Sequence, residues 1–326
     1  MIKYKKFQNR ENELFYKLLL IILIKKGMKY LLPAFLFFVS TSCYSQREDK
    51  KLQKEISELI KDYNGDIGIY IKDLKNGKTV FMNADTIFPT ASIVKVSILI
   101  GIMDKIRRNE LAYDSVLLYK DSLLYEGEDI LGSFKNDQKI LLKKVIMLML
   151  TTSDNTASLW LQSLAGKGTR VNEILDSLGF KNTRINSRTP GRENNRSMYG
   201  WGQTTPAEMG RLFEMIYRDD IFSPAACERM KRCLGRNYWD EDEAISQIPP
   251  NIEVFSKNGC VDESRSEVLL VNAPHNPYIF CIFTKNNKDT TWTHSNEAWT
   301  LARKVSTLLW NHFEPREKWS SALVKE

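Results

Sequence analysis

The order of apolar patterns along the 326 residues is the feature that most restricts how this chain can fold. Alternating apolar and polar residues at 67–74 and 79–82 flank a turn at 75–78, which is typical of a β-hairpin. From residue 91 to about residue 214 the apolar spacing changes to three or four, the period of a helix. Strand patterns return after residue 252, and an amphipathic helix follows them. Strands drawn from both chain ends predict an α/β (α+β) protein with an antiparallel sheet and an inserted helical part.

These patterns also set approximate element boundaries. The predicted strands are 67–74, 79–82, 253–256, 267–272 and 278–284. The predicted helices are 52–63, 93–107, 141–151, 155–164, 171–178, 206–217 and 295–312. The polar stretch 182–205 has no period, and a loop of this length inside a compact domain is typically functional or disordered.

The formal net charge of +7 does not indicate a nucleic-acid partner, because it is concentrated at the N-terminus. The first 43 residues hold 8 of the 47 basic residues but only 2 of the 40 acidic residues. The rest of the chain is therefore nearly neutral and lacks the excess positive charge with which proteins bind phosphate backbones. Hydrophobic residues make up 43% and charged residues 27%, which excludes a largely disordered chain.

Residues 1–43 have the layout of an export signal. Basic residues precede an apolar run at 31–39 that is too short to span a bilayer, and small residues follow before Cys43. The arrangement resembles a bacterial lipoprotein signal, in which that cysteine is lipidated. We expect an exported protein of the periplasm or cell envelope, anchored through Cys43, cleaved near 34–46 or retained on an uncleaved anchor. Membrane contact is expected only through this leader, and residues 44–62 form a tether and the first helix.

The first candidate for chemistry is Ser92, which precedes the helix at 93–107 and has Lys95 three positions further on. Positions three apart share a helix face. A serine hydroxyl is a weak nucleophile unless a base lies beside it. A lysine acts as that base only where burial or a neighbouring cation lowers its pKa. The spacing alone also fits a helix start with an incidental lysine.

A second motif, Ser153-Asp154-Asn155, lies between two predicted helices. The Ser153 hydroxyl can relay a proton, and the Asn155 amide offers a donor and an acceptor to a substrate amide. The same residue types favour a helix N-cap. Both interpretations can hold together.

The third motif, Lys257-Asn258-Gly259, follows a predicted strand. The Lys257 ammonium is suited to a substrate carboxylate, and Gly259 would let a ligand lie against the strand edge. The backbone N–H of Cys260, with that of Ser92, can stabilise an oxyanion. Taken alone, the motif also fits a solvated turn.

In this order, Ser-x-x-Lys, Ser-Asp-Asn and a Lys-x-Gly triplet resemble the signature of class A β-lactamases and penicillin-binding proteins. The resemblance covers residues 50–313. It implies a β-lactamase-like three-layer sandwich with a five-stranded antiparallel sheet. The sheet parts are expected at 64–90 and 253–313 and the helical part at 91–252, with a C-terminal tail at 314–326.

The resemblance also implies a chemistry. Ser92 would form an acyl-enzyme with a β-lactam or a peptidoglycan-like peptide, while Lys95 and Ser153 move protons. The residues implied to bind substrate are Asn155, Lys257, Asn258, Gly259 and Cys260. The expected protein is a monomeric serine hydrolase associated with antibiotic resistance. It needs no metal or organic cofactor: the three histidines are scattered, and no Cys-x-x-Cys pair occurs.

Two departures from the family pattern affect what the site can do. Asn258 stands where the family has threonine, so carboxylate binding is altered. The family's glutamate that activates water for release of the acyl group corresponds by spacing to Thr189, which cannot act as a base near neutral pH. Glu193 can substitute for it, or it can be a surface glutamate paired with Arg192 or Arg196. We therefore expect weak or altered deacylation.

Other interpretations remain open at this stage. A D-Ala-D-Ala peptidase or penicillin-binding-type amide hydrolase would use the same scaffold, because function depends on the site and not on the fold. A non-hydrolysing binder of peptidoglycan or β-lactams would keep Lys257 and Asn155 without a competent Ser92. Cys260 and Cys281 fall on strands that the resemblance places side by side, which would allow a disulfide.

Overall fold

The computed structural model describes residues 47–321 except residues 128 and 318. The predicted leader at 1–43, its Cys43 and the last five residues of the predicted tail lie outside the described residues. No helix within these limits is long and apolar enough to cross a bilayer.

Most predicted elements are present, with boundaries shifted by a few residues. The strands are β1 (Arg47–Glu48), β2 (Asp66–Asp73), β3 (Lys78–Met82), β4 (Phe88–Pro89), β5 (Val116–Leu118), β6 (Lys139–Leu141), β7 (Arg184–Ile185), β8 (Gly202–Thr204), β9 (Val254–Val261), β10 (Ser264–Val271) and β11 (Tyr278–Lys285). The α-helices are α1 (Lys50–Ile60), α2 (Val94–Arg107), α3 (Leu142–Thr151), α4 (Asn155–Leu164), α5 (Lys167–Ser177), α6 (Glu193–Tyr199), α7 (Pro206–Tyr217), α8 (Pro224–Leu234) and α9 (Glu297–Phe313).

The main sheet takes its strands from both ends of the described chain, in the order β1-β3-β2-β11-β10-β9. The antiparallel pair β2 and β11 joins the two ends, with Ile69 opposite Ile282. The five longer strands are mutually antiparallel, as predicted. The two-residue strand β1 pairs in parallel with β3, so the sheet has one strand more than predicted. Two charged residues carry no apolar alternation that could have revealed it.

Alternate residues of the sheet enter two separate cores, because successive side chains of a strand point to opposite faces. Ile69 and Phe280 pack with Leu309 of α9 in one core. Tyr70 and Phe283 pack with the helices between β3 and β9 in the other. Helices therefore cover both faces of the sheet, which confirms the predicted three-layer fold.

The polar stretch at 182–205 is not a continuous loop. It contains β7, α6 and β8, and a small second sheet runs in the order β4-β8-β7. The Glu208 carboxylate holds its beginning by accepting the backbone N–H groups of Asn182 (3.0 Å) and Thr183 (2.6 Å). Polar contacts hold much of this segment, and the few apolar side chains that enter the core, such as Ile185, follow no period. Hydrophobic periodicity therefore did not predict its structure.

Strand β9 continues through Lys257 to Val261, beyond the predicted end at residue 256. Strand β10 lies between β9 and β11. Cys260 and Cys281 are therefore not on neighbouring strands, and both thiols are free. The prediction that Cys260 and Cys281 could form a disulfide is therefore wrong.

Candidate active site

Ser92 lies on a 3₁₀ turn, Ala91–Ile93, that leads directly into α2. The preceding Ala91 has a φ of +42°, a left-handed conformation that costs a non-glycine residue about 1–3 kcal/mol and is concentrated at functional sites. Ser92 is half-buried, whereas Ile93 and Val94 are fully buried in the core. The turn thus presents the serine at the edge of the helical core.

Lys95 is fully buried and links the first two motifs. Its Nζ lies 3.0 Å from Ser92 Oγ, 3.0 Å from Ser153 Oγ and 2.9 Å from Asn155 Oδ1, and it also donates to the Ser153 carbonyl oxygen. The two carbonyl-type oxygens can only accept, whereas a hydroxyl can also donate. A neutral amine has two N–H groups and one lone pair, so it can serve both carbonyl oxygens and take a proton from a hydroxyl.

The second motif forms the junction between α3 and α4. Ser153 is buried with a φ of +63°. The Asp154 carboxylate caps α4 by accepting the N–H of Ala157 at 2.7 Å, and its other oxygen accepts two N–H groups of residues 130–131. The cap holds the turn that presents Ser153 to Lys95, so the structural and functional interpretations of this motif coexist.

The third motif reaches Ser92 because β9 is an edge strand of the sheet. A Cβ on Gly259 would lie 2.3 Å from the Thr90 carbonyl oxygen and 3.0 Å from the Ser92 nitrogen. The lack of a side chain at Gly259 therefore makes room for the Ser92 turn. The sequence predicted instead that a ligand uses this space. Cys260 lines the same cavities as Ser92, so the backbone N–H groups of these two residues are the candidates for an oxyanion hole.

Lys257 is buried in the middle of β9 and contacts the next side chain. Its Nζ donates to the backbone oxygen and to Oδ1 of Asn258, each at 3.0 Å. Asn258 Nδ2 donates in turn to Glu243 Oε1 at 2.7 Å. Sequence reasoning missed Glu243, because a glutamate at the end of the run Asp240-Glu241-Asp242 carries no signal of burial.

Two carboxyl groups are buried near this lysine. Burial raises the pKa of Glu243 to about 7, and Asp242 adds to the increase, while the Asn258 hydrogen bond and Lys257 oppose it. Burial also raises the pKa of Glu267 on β10. The Glu267 carboxylate accepts the backbone N–H of Ala244 at 2.6 Å, so it anchors the segment that carries Glu243.

Cys260 is a second potential nucleophile beside Ser92. Burial and the nearby Glu243 raise the pKa of its thiol to about 12. The thiolate is the reactive form of cysteine. The thiol therefore stays protonated at neutral pH and does not compete with the serine.

Ser92 is reachable from two cavities. One of about 460 Å³ is bounded by Trp201, and the other of about 750 Å³ is bounded by the acidic segment 240–243. Ser92, Asn155 and Cys260 line both cavities. Their volumes suit a small molecule or a short peptide. Among the described residues, no group of three or more His, Cys, Asp and Glu side chains could hold a metal ion.

Thr189 and Glu193 make their side-chain hydrogen bonds within their own segment. Thr189 is buried, and its hydroxyl donates to the Ser187 carbonyl oxygen at 2.9 Å. Glu193 is exposed at the start of α6, where its carboxylate accepts the N–H of Gly191 at 3.1 Å. Neither residue is among those that line the two cavities beside the serine.

Neutral partners hold the rest of this segment. Arg192 donates to Asn186 Oδ1 at 2.8 Å and to Gln203 Oε1 at 2.7 Å. Asn195 Nδ2 donates to the same Gln203 oxygen at 3.0 Å. The suggested ion pair between Arg192 and Glu193 is not formed, because the Arg192 guanidinium donates its hydrogen bonds to these amide oxygens.

These contacts define a class of protein. A serine whose neighbour is a buried lysine one helical turn away, beside a sheet covered by helices on both faces, is the arrangement of a β-lactamase-like serine hydrolase. The chain belongs to the β-lactamase enzyme family, whose sequence pattern matches residues 51–313.

Individual relatives are similar over most of their length. The chain is 22% identical over 301 residues to β-lactamase VEB-1 of Pseudomonas aeruginosa, covering 88% of this chain and 99% of the relative. A mutant of PBP-A, solved as an acyl-enzyme complex with penicillin G, has a TM-score of 0.73 and 22% identity, covering 83% of this chain and 98% of that chain. A class A β-lactamase from Bacteroides cellulosilyticus has a TM-score of 0.70 and 21% identity, covering 81% and 98%. The two structures share the fold of this chain.

Proposed function

We propose that this protein opens β-lactam rings through an ester on Ser92 and releases the product slowly. The neutral Lys95 amine takes the Ser92 hydroxyl proton across 3.0 Å while Oγ forms a bond to the lactam carbonyl carbon. The displaced electron pair moves onto the carbonyl oxygen, which the N–H groups of Ser92 and Cys260 stabilise. When the carbonyl re-forms, the C–N bond breaks, and the leaving nitrogen takes a proton through the Ser153 hydroxyl.

Two side chains position the substrate. Asn155 is half-buried and borders both cavities, so its amide can hydrogen-bond the amide group beside the reacting ring. Lys257 supplies a positive charge for a substrate carboxylate. Lys257 lines neither cavity, but its Nζ contacts Asn258, which lines the larger one, so the proposed charge acts next to that cavity.

The proposal of slow release depends on one observation. No carboxylate from the 182–205 segment is among the described residues that line the cavities at Ser92. Hydrolysis of the ester needs a base to activate water, and the threonine hydroxyl at position 189 donates to a backbone carbonyl. The ester formed on Ser92 therefore has no obvious base from that segment to accelerate its hydrolysis.

Intact-mass spectrometry after mixing with penicillin G tests this proposal. We expect one adduct with the mass of the whole penicillin, because ring opening loses no atoms, and we expect it to persist after free penicillin is removed. Ser92→Ala should form no adduct. Ser163→Ala, an exposed serine of α4, is the matched control and should behave like the wild-type protein.

Two results would contradict the proposal in different ways. A short-lived adduct with rapid accumulation of opened penicillin would establish an efficient β-lactamase and reject slow release. Absence of any adduct, with penicillins and cephalosporins alike, would reject acylation of Ser92 by β-lactams. The second result would favour a peptide substrate or a non-hydrolysing binder.

We also propose that the protein is exported to the periplasm or cell envelope through residues 1–43. The support is the sequence layout alone, with basic residues, the apolar run at 31–39 and small residues before Cys43. When cells express the protein in the presence of labelled palmitate, the protein itself should carry the label. The Cys43→Ser variant should carry none. Protein found only in the cytosolic fraction would contradict export.

A further inference from the structure

A buried carboxyl group lies where the proposed mechanism needs positive charge. Glu243 is 7% exposed, yet it lines the larger cavity together with Ser92, Asn155 and Asn258. It stands on the segment before β9, whereas the lysine proposed to bind the substrate carboxylate stands within β9. A buried carboxylate beside a binding cation is expensive unless it is hydrogen-bonded, so its contacts decide its role.

Those contacts fix the orientation of the Asn258 side chain. Nδ2 donates to Glu243 Oε1 at 2.7 Å, and Oδ1 accepts from Lys257 Nζ at 3.0 Å. The NH₂ group is the end of an amide that can bind a carboxylate. Glu243 therefore takes one of the two N–H donors that Asn258 could offer to a substrate carboxylate.

The negative charge of Glu243 also disfavours binding of a substrate carboxylate. Lys257 favours the ionised form of Glu243, which means that the two charges attract each other. Charges interact more strongly in a buried site than in water. An ionised Glu243 thus reduces the positive potential that Lys257 presents to a substrate.

We propose that Glu243 determines the substrate preference of this site, by weakening acylation with substrates that carry a carboxylate beside the scissile amide. The same substrates with that carboxylate esterified are affected much less. This inference rests on the proposed acylation of Ser92 and names the chemical class that the site discriminates against.

The preference should depend on pH. The charged and titratable groups that face Glu243 are Asp242, Lys257, Cys260, Glu267 and Arg303. The pKa of Glu243 is raised to about 7, so the carboxyl group is mostly neutral at about pH 5.5 and mostly ionised at about pH 8.5. Discrimination against a carboxylate should therefore be weak at low pH and strong at high pH. Burial also raises the pKa of Glu267, so ionisation of Glu267 as pH rises adds to the discrimination against a substrate carboxylate.

The test compares penicillin G with its methyl ester on one protein at a time. The readout is the ratio of the two acylation rate constants, acid over ester, measured by intact mass. Changes in the reactivity of the nucleophile cancel in this ratio. In Glu243→Gln at about pH 8 the ratio should rise by about tenfold. Glu253→Gln, an exposed carboxylate that lines neither cavity at Ser92, is the control and should stay within about twofold.

The pH profile of the wild-type ratio is a second measurement that does not depend on the variant folding. The ratio should fall as pH rises through about 7, and the fall should be much smaller for Glu243→Gln, in which Glu267 still titrates. An unchanged ratio in Glu243→Gln, or a flat wild-type profile, would overturn the role of Glu243 while leaving acylation intact. If neither compound acylates the wild-type protein, the proposed function fails, and this inference fails with it.

Discussion

Two regions contain the proton-transfer candidates, and they are built in opposite ways. Around Ser92, Lys95 is fully buried, and its Nζ contacts hydroxyl and carbonyl oxygens of the second motif. In the 182–205 segment, Glu193 is exposed, and its carboxylate contacts a neighbouring backbone N–H. In the first region the side chains proposed to transfer protons are held at fixed positions. The second region is stabilised by contacts within itself.

In the proposed mechanism, formation and release of the acyl group depend on separate parts of the fold. The residues that form the ester come from α2, the α3–α4 junction and the edge of β9. A base for release would have to come from elsewhere, such as the 182–205 segment. The first set can therefore stay complete while the second loses its base.

The largest expected effect belongs to the buried lysine. Lys95→Ala removes the base that takes the Ser92 proton, and the acylation rate should fall by about 10²–10⁴-fold. Intact-mass kinetics with penicillin G measure this rate. Lys105→Ala, on the same helix and ion-paired at the surface with Glu110, should leave it unchanged. A loss below about tenfold would mean that another group is the base.

A smaller effect is expected where the third motif meets the first. Gly259→Ala places a Cβ 2.3 Å from the Thr90 carbonyl oxygen, so the strand or the Ser92 turn must shift. Overpacking of this kind costs about 1–3 kcal/mol, and a displacement near 1 Å can reduce rates by about 10²-fold. Thermal unfolding and acylation kinetics measure the two consequences.

Gly235→Ala is the control for that substitution. A Cβ there would meet its nearest atom, the Lys231 carbonyl oxygen, at 3.3 Å. It should lower the unfolding temperature less and leave acylation unchanged. Equal acylation rates in both glycine variants would contradict the close approach of β9 to Ser92.

The smallest effect is expected in the 182–205 segment. Glu193→Gln and Thr189→Ala should each change the lifetime of the penicillin adduct by less than about twofold, because neither side chain lines the cavities at Ser92. The decay of the adduct mass over hours measures this lifetime. A several-fold longer lifetime in Glu193→Gln alone would identify that carboxylate as the base and remove the contrast between the two regions.

Local patterns placed Ser92 and Lys95 side by side because helix geometry is local, and the family resemblance supplied the roles proposed for them. Ser92 and Lys95 are three positions apart at a helix start, and this spacing brings their side chains together without help from the rest of the chain. The cap at Asp154 was predictable for the same reason. The strand positions followed from apolar alternation, although β9 extends past the residue at which that alternation stops.

Apolar periodicity predicted an antiparallel sheet from both chain ends with an inserted helical part, because periodicity expresses short-range geometry. The three-layer fold and the roles of the site residues were implied by the resemblance to a known family. Long-range packing set which strand edge meets Ser92, buried Glu243 against Asn258 and left Glu193 outside the cavities at the serine. These placements depend on packing between segments that are distant in sequence. Burial of a charged residue follows from what packs over it, and no local pattern records that.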